Sequence, residues 1–69
     1  MKISARNVIR GRVVAIHEGA INSEVLIDIG GGTQLVSVIT KTSVKALGLE
    51  PGKDALAIIK ASNILVATE

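Results

Sequence analysis

Cysteine, tryptophan, tyrosine and phenylalanine are all absent from this 69-residue chain, and proline and histidine occur once each. Without cysteine the chain forms no disulfide and no thiolate metal site. The single histidine, His17, cannot build a metal site unaided. Without aromatic side chains, there is no platform on which the bases of a single-stranded nucleic acid could stack. These absences leave a small domain without the usual covalent or metal-based means of stabilising a short chain.

Long apolar runs and a strong net charge are lacking as well. No stretch approaches the roughly 18 apolar residues that indicate a membrane-spanning helix, and residues 1–7 do not contain the apolar region of a signal peptide. We therefore expect a cytoplasmic protein that does not interact with membranes. The formal net charge of +2 is too small for a strong nucleic-acid binder, although it is compatible with binding a small anion.

Apolar residues make up 48% of the chain and are mainly Val, Ile, Leu and Ala. A domain of this size buries only about 60% of the surface that its unfolded chain exposes. A monomer cannot hide this much apolar surface, so the composition predicts a homo-oligomer.

The pattern along the chain is typical of a small β-domain with one helix. Alternating and β-branched residues predict strands, and the glycine run 30–32 predicts a hairpin turn. Thr40 is a suitable N-cap and Gly48 a suitable stop for a short helix over residues 41–47. The predicted strands are residues 9–18, 23–29, 34–39, 54–60 and 62–67. This order predicts an all-β fold, a five-stranded OB-like barrel with one short helix between strands three and four, formed by a single domain of residues 1–69.

Three short polar segments have the chemistry to bind an anion. Residues 4–7, with the sequence SARN, combine a hydroxyl, an amide and a guanidinium whose fork of donors suits oxyanions. Residues 60–62, KAS, offer an ammonium, a hydroxyl and backbone N–H groups, and residues 40–43, TKTS, place hydroxyls and free N–H groups at a helix start. Each segment also has an ordinary structural interpretation: a frayed terminus, a solvated lysine and a plain helix cap.

Catalysis finds no support in the sequence. The glycine run 30–32 lacks the lysine and the following helix of a nucleotide-binding loop. No nucleophile or carboxylate partner is placed for His17, and the carboxylates are scattered rather than paired. We therefore expect no catalytic residue and no enzyme activity.

The motifs at residues 4–7 and 60–62, with the interval between them, resemble those of the molbindins, the small molybdate- and tungstate-binding proteins also called Mop. The resemblance extends over essentially the whole chain, including residues 11–14, 24–32, 38–40, 47–49 and 51–53. It implies an OB-like fold assembled as a homohexamer, a trimer of dimers. The chain departs from the family at Val8, where many relatives carry glutamine, and at Ile21, which replaces a valine.

The resemblance also implies which residues bind molybdate or tungstate. At sites between subunits, the ligands would be Ser4, Arg6, Thr40, Lys60, Ala61 and Ser62. At sites near the three-fold axis, they would be Gly19, Ala20, Ile21 and Asn22. No cofactor and no direct ligand of a metal cation is expected, and the oxyanion would be held for intracellular storage, buffering or homeostasis.

Molybdate is a dianion whose oxygens only accept hydrogen bonds at neutral pH, so its site should supply donors and exclude carboxylates. Arg6, Lys60 and the nearby hydroxyls meet that condition. The alternative function is an OB-type nucleic-acid-binding or structural interaction module. The absence of aromatic residues weighs against nucleic acid.

Overall fold

Four antiparallel strands form one curled sheet, and a short helix connects the third strand to the fourth. The computed structural model describes residues 1–69. The elements are β1, Asn7–Glu18; β2, Asn22–Gly30; β3, Thr33–Thr40; α1, Lys41–Leu47; β4, Asp54–Ile59; and a 3-10 turn, Ala61–Asn63. In space the strands follow the order β3-β2-β1-β4, so the mostly β character and the position of the helix are confirmed.

The central strand β1 is the longest, with 12 residues, and its two halves pair with different neighbours. Residues 7–12 pair with β4 and residues 12–18 with β2, so that Arg12 lies opposite both Asp54 and Asp28. A register shift between Val13 and Ala15 bends the strand just beyond this point. The sheet therefore curls into a half-barrel, with an apolar trough between the edge strands β3 and β4.

The local turn and cap chemistry predicted from the sequence is confirmed. The glycines of the run 30–32 all have positive φ, at 96°, 62° and 79°, which glycine adopts without the steric cost of a Cβ. The Thr40 hydroxyl accepts a hydrogen bond from the Ser43 N–H at 3.1 Å, the usual arrangement of an N-cap. Gly48 ends α1 in the left-handed conformation, with φ of 65°.

The buried apolar core is small. Only Val13, Val25 and Ile27, on the adjoining strands β1 and β2, are buried apolar residues. Half-buried side chains from β3, β4 and α1 pack around them, whereas Val36 and Val38 of β3 remain 62% and 65% exposed. One chain therefore leaves a large share of its apolar surface uncovered, which agrees with the expectation from its composition.

The prediction of a fifth strand over residues 62–67, and so of a five-stranded OB-like barrel, is wrong for this chain. β4 ends at Ile59, and the chain then bends through the 3-10 turn, in which the Asn63 N–H donates to the Lys60 carbonyl at 2.9 Å. Beyond the turn no strand forms, and Leu65 and Val66 are 93% and 90% exposed. The alternating apolar pattern indicates a propensity for extended backbone, but a strand also needs a neighbouring edge with which to form hydrogen bonds.

Candidate oxyanion-binding cleft

Two segments from opposite ends of the chain form one polar cleft at the end of the β1–β4 pair. These strands run antiparallel, and their terminal register pair joins Asn7 to Ile59. The residues just before Asn7 and just after Ile59 therefore lie side by side. The residues that line the cleft are Ser4, Ala5, Arg6, Lys60, Ala61 and Ser62. The structure thus brings together five of the six residues predicted for the intersubunit site, all except Thr40.

Arg6 and Lys60 bring two positive charges to this cleft, and both residues are exposed. Neither belongs to any of the four contacts between a basic and an acidic side chain in the protein. No carboxylate lines the cleft. Both side chains are therefore available to donate hydrogen bonds to an anion, without competition from a carboxylate of the same chain.

The 3-10 turn after β4 determines how one side of the cleft presents its backbone. Its first internal hydrogen bond comes from the Asn63 N–H. The N–H groups of Ala61 and Ser62 precede that bond and have no acceptor within the turn, as is usual at the start of a helical segment. These two N–H groups and the Ser62 hydroxyl thus add neutral donors next to the ammonium of Lys60.

Thr40 lies away from the cleft, at the end of the opposite edge strand, β3. Its hydroxyl already serves the start of α1, since it accepts from the Ser43 N–H and donates to the Ser43 hydroxyl at 2.8 Å. Within one chain, Thr40 therefore caps a helix and does not meet Arg6 or Lys60. Its predicted role as an oxyanion ligand stays a prediction that requires a second copy of the chain.

The residues predicted for the three-fold site, Gly19, Ala20, Ile21 and Asn22, comprise the tight turn after β1 and the first residue of β2. The Gly19 N–H donates to the Asn22 carbonyl at 2.8 Å, and the Ile21 carbonyl accepts from the Lys41 N–H at 2.9 Å. Ile21 itself is 75% exposed. The turn is thus tied to the start of α1 and lies at the opposite end of β1 from the cleft, and its binding role stays a prediction.

The expectation that His17 has no carboxylate partner is wrong. Glu24 lies directly opposite His17 in the β1–β2 register, and the His17 Nδ1 is 3.3 Å from the Glu24 Oε1. The sequence indicates that His17 and Glu24 are in contact only when the register of the β1–β2 hairpin is known. Both side chains are exposed, at 65% and 49%, so the pair is a cross-strand contact on the protein surface.

Two other kinds of feature are absent. No set of three or more His, Cys, Asp or Glu side chains is arranged to hold a metal ion. No helix has both the length and the apolar character needed to cross a bilayer.

The chain is similar to known proteins over nearly its whole length. Residues 3–66 match the TOBE domain family. The chain is 54% identical over 69 residues to a probable molybdenum-pterin-binding protein of Haemophilus influenzae, with 100% of both chains covered. A molybdate-binding protein from Sporomusa ovata has a similar solved structure, with a TM-score of 0.92 and 38% identity over 99% of this chain and 100% of that one.

A second solved structure, that of the cytoplasmic molybdate-binding protein ModG with molybdate bound, gives a TM-score of 0.90 at 48% identity. The match covers 94% of this chain and 46% of that chain, so this chain corresponds to about half of ModG. The proteins named above are binding proteins, and the resemblance found in the cleft motifs extends to the whole chain. The chain therefore belongs to the TOBE domain family and, within it, to the small molybdenum-pterin-binding (Mop) proteins.

Proposed function

We propose that this protein binds molybdate, and the chemically similar tungstate, in the cleft formed by residues 4–6 and 60–62. The observation that carries the proposal is the meeting of Arg6 and Lys60 at a cleft that contains hydroxyls and no carboxylate. A dianion that only accepts hydrogen bonds requires such a set of donors. Two of the similar proteins are described as molybdate-binding, which supports this ligand.

The free oxyanion is a better ligand for this cleft than a pterin-bound form of molybdenum, although a similar protein is named for pterin binding. A flat pterin ring is held most effectively by apolar and aromatic side chains that cover its faces. The chain has no Phe, Tyr or Trp, and small or positively charged side chains line the cleft. The hydrogen-bond donors in this lining match the oxygens of an oxyanion, which accept hydrogen bonds.

A second copy of the chain would complete the site. In one chain Arg6 and Lys60 are exposed, so water and salt weaken their attraction for an anion. Another subunit packed over the cleft would exclude water and strengthen that attraction. It would also bring its own Thr40, which lies at the far edge of the sheet in each chain, to the ligand bound by Arg6 and Lys60.

The assembly that we propose is a homohexamer, a trimer of dimers. Its support is the family resemblance and the apolar surface that one chain leaves uncovered, notably Leu47, Leu65 and Val66, which are 68%, 93% and 90% exposed. Three-fold packing around the turn 19–22 would create a second class of oxyanion site. The support for this second class of site is the family resemblance, since the nearby Lys41 Nζ already lies 4.0 Å from the Glu18 Oε2.

A protein with these properties would hold molybdate or tungstate for storage, buffering or homeostasis. We propose that it does so in the cytoplasm, where the similar protein ModG is described as acting. No additional cofactor is needed for this role, since the oxyanion is itself the ligand.

Calorimetric titration of the ligand-free protein with sodium molybdate, sodium tungstate and sodium sulfate tests the proposal. We expect saturable binding of molybdate and tungstate with the same stoichiometry, because the two anions present the same charge and the same arrangement of oxygens. The sulfate titration measures how well the site distinguishes a smaller dianion. No saturable binding of molybdate to folded, assembled protein would contradict the proposed function.

A further inference from the structure

The side chain of Asn7 joins two parts of the chain that are remote in sequence. Its Nδ2 donates a hydrogen bond to the Ile59 carbonyl at 3.2 Å, across a separation of 52 residues. Every other side-chain hydrogen bond in the protein joins residues no more than 7 positions apart. This bond is therefore the one side-chain hydrogen bond that ties the N-terminal part of the fold to its C-terminal part.

The bond lies at the point where the two segments of the cleft leave the sheet. Asn7 directly follows Arg6, Ile59 directly precedes Lys60, and the two residues form the terminal register pair of β1 and β4. Strand ends fray easily because their backbone pairing stops there. A side-chain bond across this last pair limits fraying and restricts how far the backbones that carry Arg6 and Lys60 can separate.

Asn7 is not itself a wall of the cleft. Its side chain is half-buried, on the same face of β1 as Ile9 and Val13, and it is not among the residues that line the cleft. Its amide supplies the donor that a carbonyl acceptor needs, which neither an apolar side chain nor a carboxylate would do. The effect of Asn7 on a bound anion would thus pass through the positions of the main chain at Arg6 and Lys60.

We propose that Asn7 is a positioning residue for the oxyanion cleft, which holds the two charged segments at a fixed separation before the anion arrives. This inference rests on the proposed function of the cleft. Arg and Lys have long, flexible side chains, and ordering them on binding costs conformational entropy. Fixing the backbone that carries them removes backbone ordering from the cost that is paid on binding, so affinity increases without any new contact to the ligand.

The test is equilibrium dialysis of molybdate against the assembled protein and its Asn7→Ala variant. We expect affinity at the cleft to fall by roughly threefold to tenfold, as for the loss of one neutral hydrogen bond, while the oligomeric state is unchanged. Asn7→Gln keeps an amide donor on a longer side chain and should recover part of the affinity. Gln34→Ala, which removes an amide from an exposed position of β3, is the matched control and should bind molybdate like the parent protein.

A double-mutant cycle with Lys60→Ala separates positioning from a general loss of stability. If Asn7 acts by placing Lys60 relative to Arg6, Asn7→Ala should lower affinity much less in the Lys60→Ala background than in the parent protein. An equal loss in both backgrounds, or parent-like affinity of Asn7→Ala, would overturn the inference. If instead the proposed function of the cleft is wrong, Arg6→Ala and Lys60→Ala will also leave the affinity for molybdate unchanged.

Discussion

A Cβ atom on Gly11 of β1 would lie 2.6 Å from the Cγ2 atom of Ile27 on β2, closer than two carbon atoms can approach without displacement. It would also lie 2.8 Å from the Asp28 carbonyl oxygen. The space beside β1 where it passes from β4 to β2 thus admits no side chain, and glycine is required there. Ile27 is one of the three buried apolar residues, so this contact lies against the core.

We expect Gly11→Ala to destabilise the protein, because the added methyl group must displace either the Ile27 side chain or the backbone of β2. Overpacking of this kind costs about 1–3 kcal/mol. Denaturant unfolding at one fixed protein concentration measures the change, since an oligomer's apparent stability depends on concentration. Unchanged stability would show that the sheet is looser at this point than the structure indicates.

Ser23 presents the opposite case, a polar group that the fold does not satisfy. Its side chain is buried, at 2% exposure, and its hydroxyl has no hydrogen-bond partner. We expect Ser23→Ala to raise the free energy of unfolding by about 1 kcal/mol, since burying an unpaired hydroxyl is unfavourable. Ser37→Ala, at a half-buried position opposite Val25, is the control and should bring no comparable gain. A clear loss of stability in Ser23→Ala would mean that a buried water or a partner subunit bonds the hydroxyl.

The sequence was most informative where structure depends on local chemistry. The turn at residues 30–32 needs residues that adopt positive φ, which glycine provides. The short helix α1 needs a suitable cap at each end, which Thr40 and Gly48 provide. Both were predictable because each depends on a few consecutive residues. The same local reasoning led to the wrong prediction for residues 62–67. The alternation of apolar residues there indicates an extended conformation, but it does not show whether a neighbouring strand edge is within reach.

The candidate site depends on pairing between distant strands, which local patterns do not contain. The proximity of Arg6 and Lys60 follows from the antiparallel register of β1 and β4, and the sequence pointed to it only through resemblance to a family. The His17–Glu24 contact depends on the β1–β2 register beyond the shift at Val13 and Ala15. A one-residue change of register turns every side chain to the other face, so this pair could not be read from spacing.

Assembly is expected to be obligatory. The exposed apolar side chains of β3 and of the C-terminal segment need cover, and the chain has no disulfide to compensate for its small core. Multi-angle light scattering should therefore show a single species of about six chains, each of 7.1 kDa. A stable, folded monomer at micromolar concentration would contradict both the hexamer and the completion of the cleft by a second subunit.

Nucleic-acid binding is expected to be weak and non-specific. The chain lacks aromatic side chains for stacking, and its net charge of +2 offers only limited attraction to phosphates. Single-stranded DNA or RNA should bind measurably only at low ionic strength, and the binding should fade as salt is added. Tight binding at physiological salt in a filter assay would favour the alternative function as a nucleic-acid module.

Removal of one cleft charge should weaken molybdate binding far more than removal of a similar charge elsewhere. A hydrogen bond to a charged group contributes about 1.5–3 kcal/mol, which corresponds to a loss of about tenfold to a hundredfold in affinity. We therefore expect that loss in Arg6→Ala and in Lys60→Ala. Arg6→Lys should recover only part of the affinity, because an ammonium cannot reproduce the planar fork of a guanidinium.

Arg12→Ala is the matched control for these variants. Arg12 lies on β1, the strand that follows Arg6 in the chain, but it does not line the cleft. Its Nε is 3.9 Å from the Asp54 Oδ1, and both side chains are largely exposed, at 67% and 73%. Such a surface pair contributes less than about 1 kcal/mol to stability, and its loss should leave molybdate binding intact.

Equilibrium dialysis of all four variants, with the oligomeric state measured in parallel, makes the comparison. Fold and assembly of the ligand-free Arg6 and Lys60 variants should survive, since removing like charges from an anion site relieves repulsion. Parent-like stoichiometry and affinity in both would show that molybdate binds elsewhere on the protein.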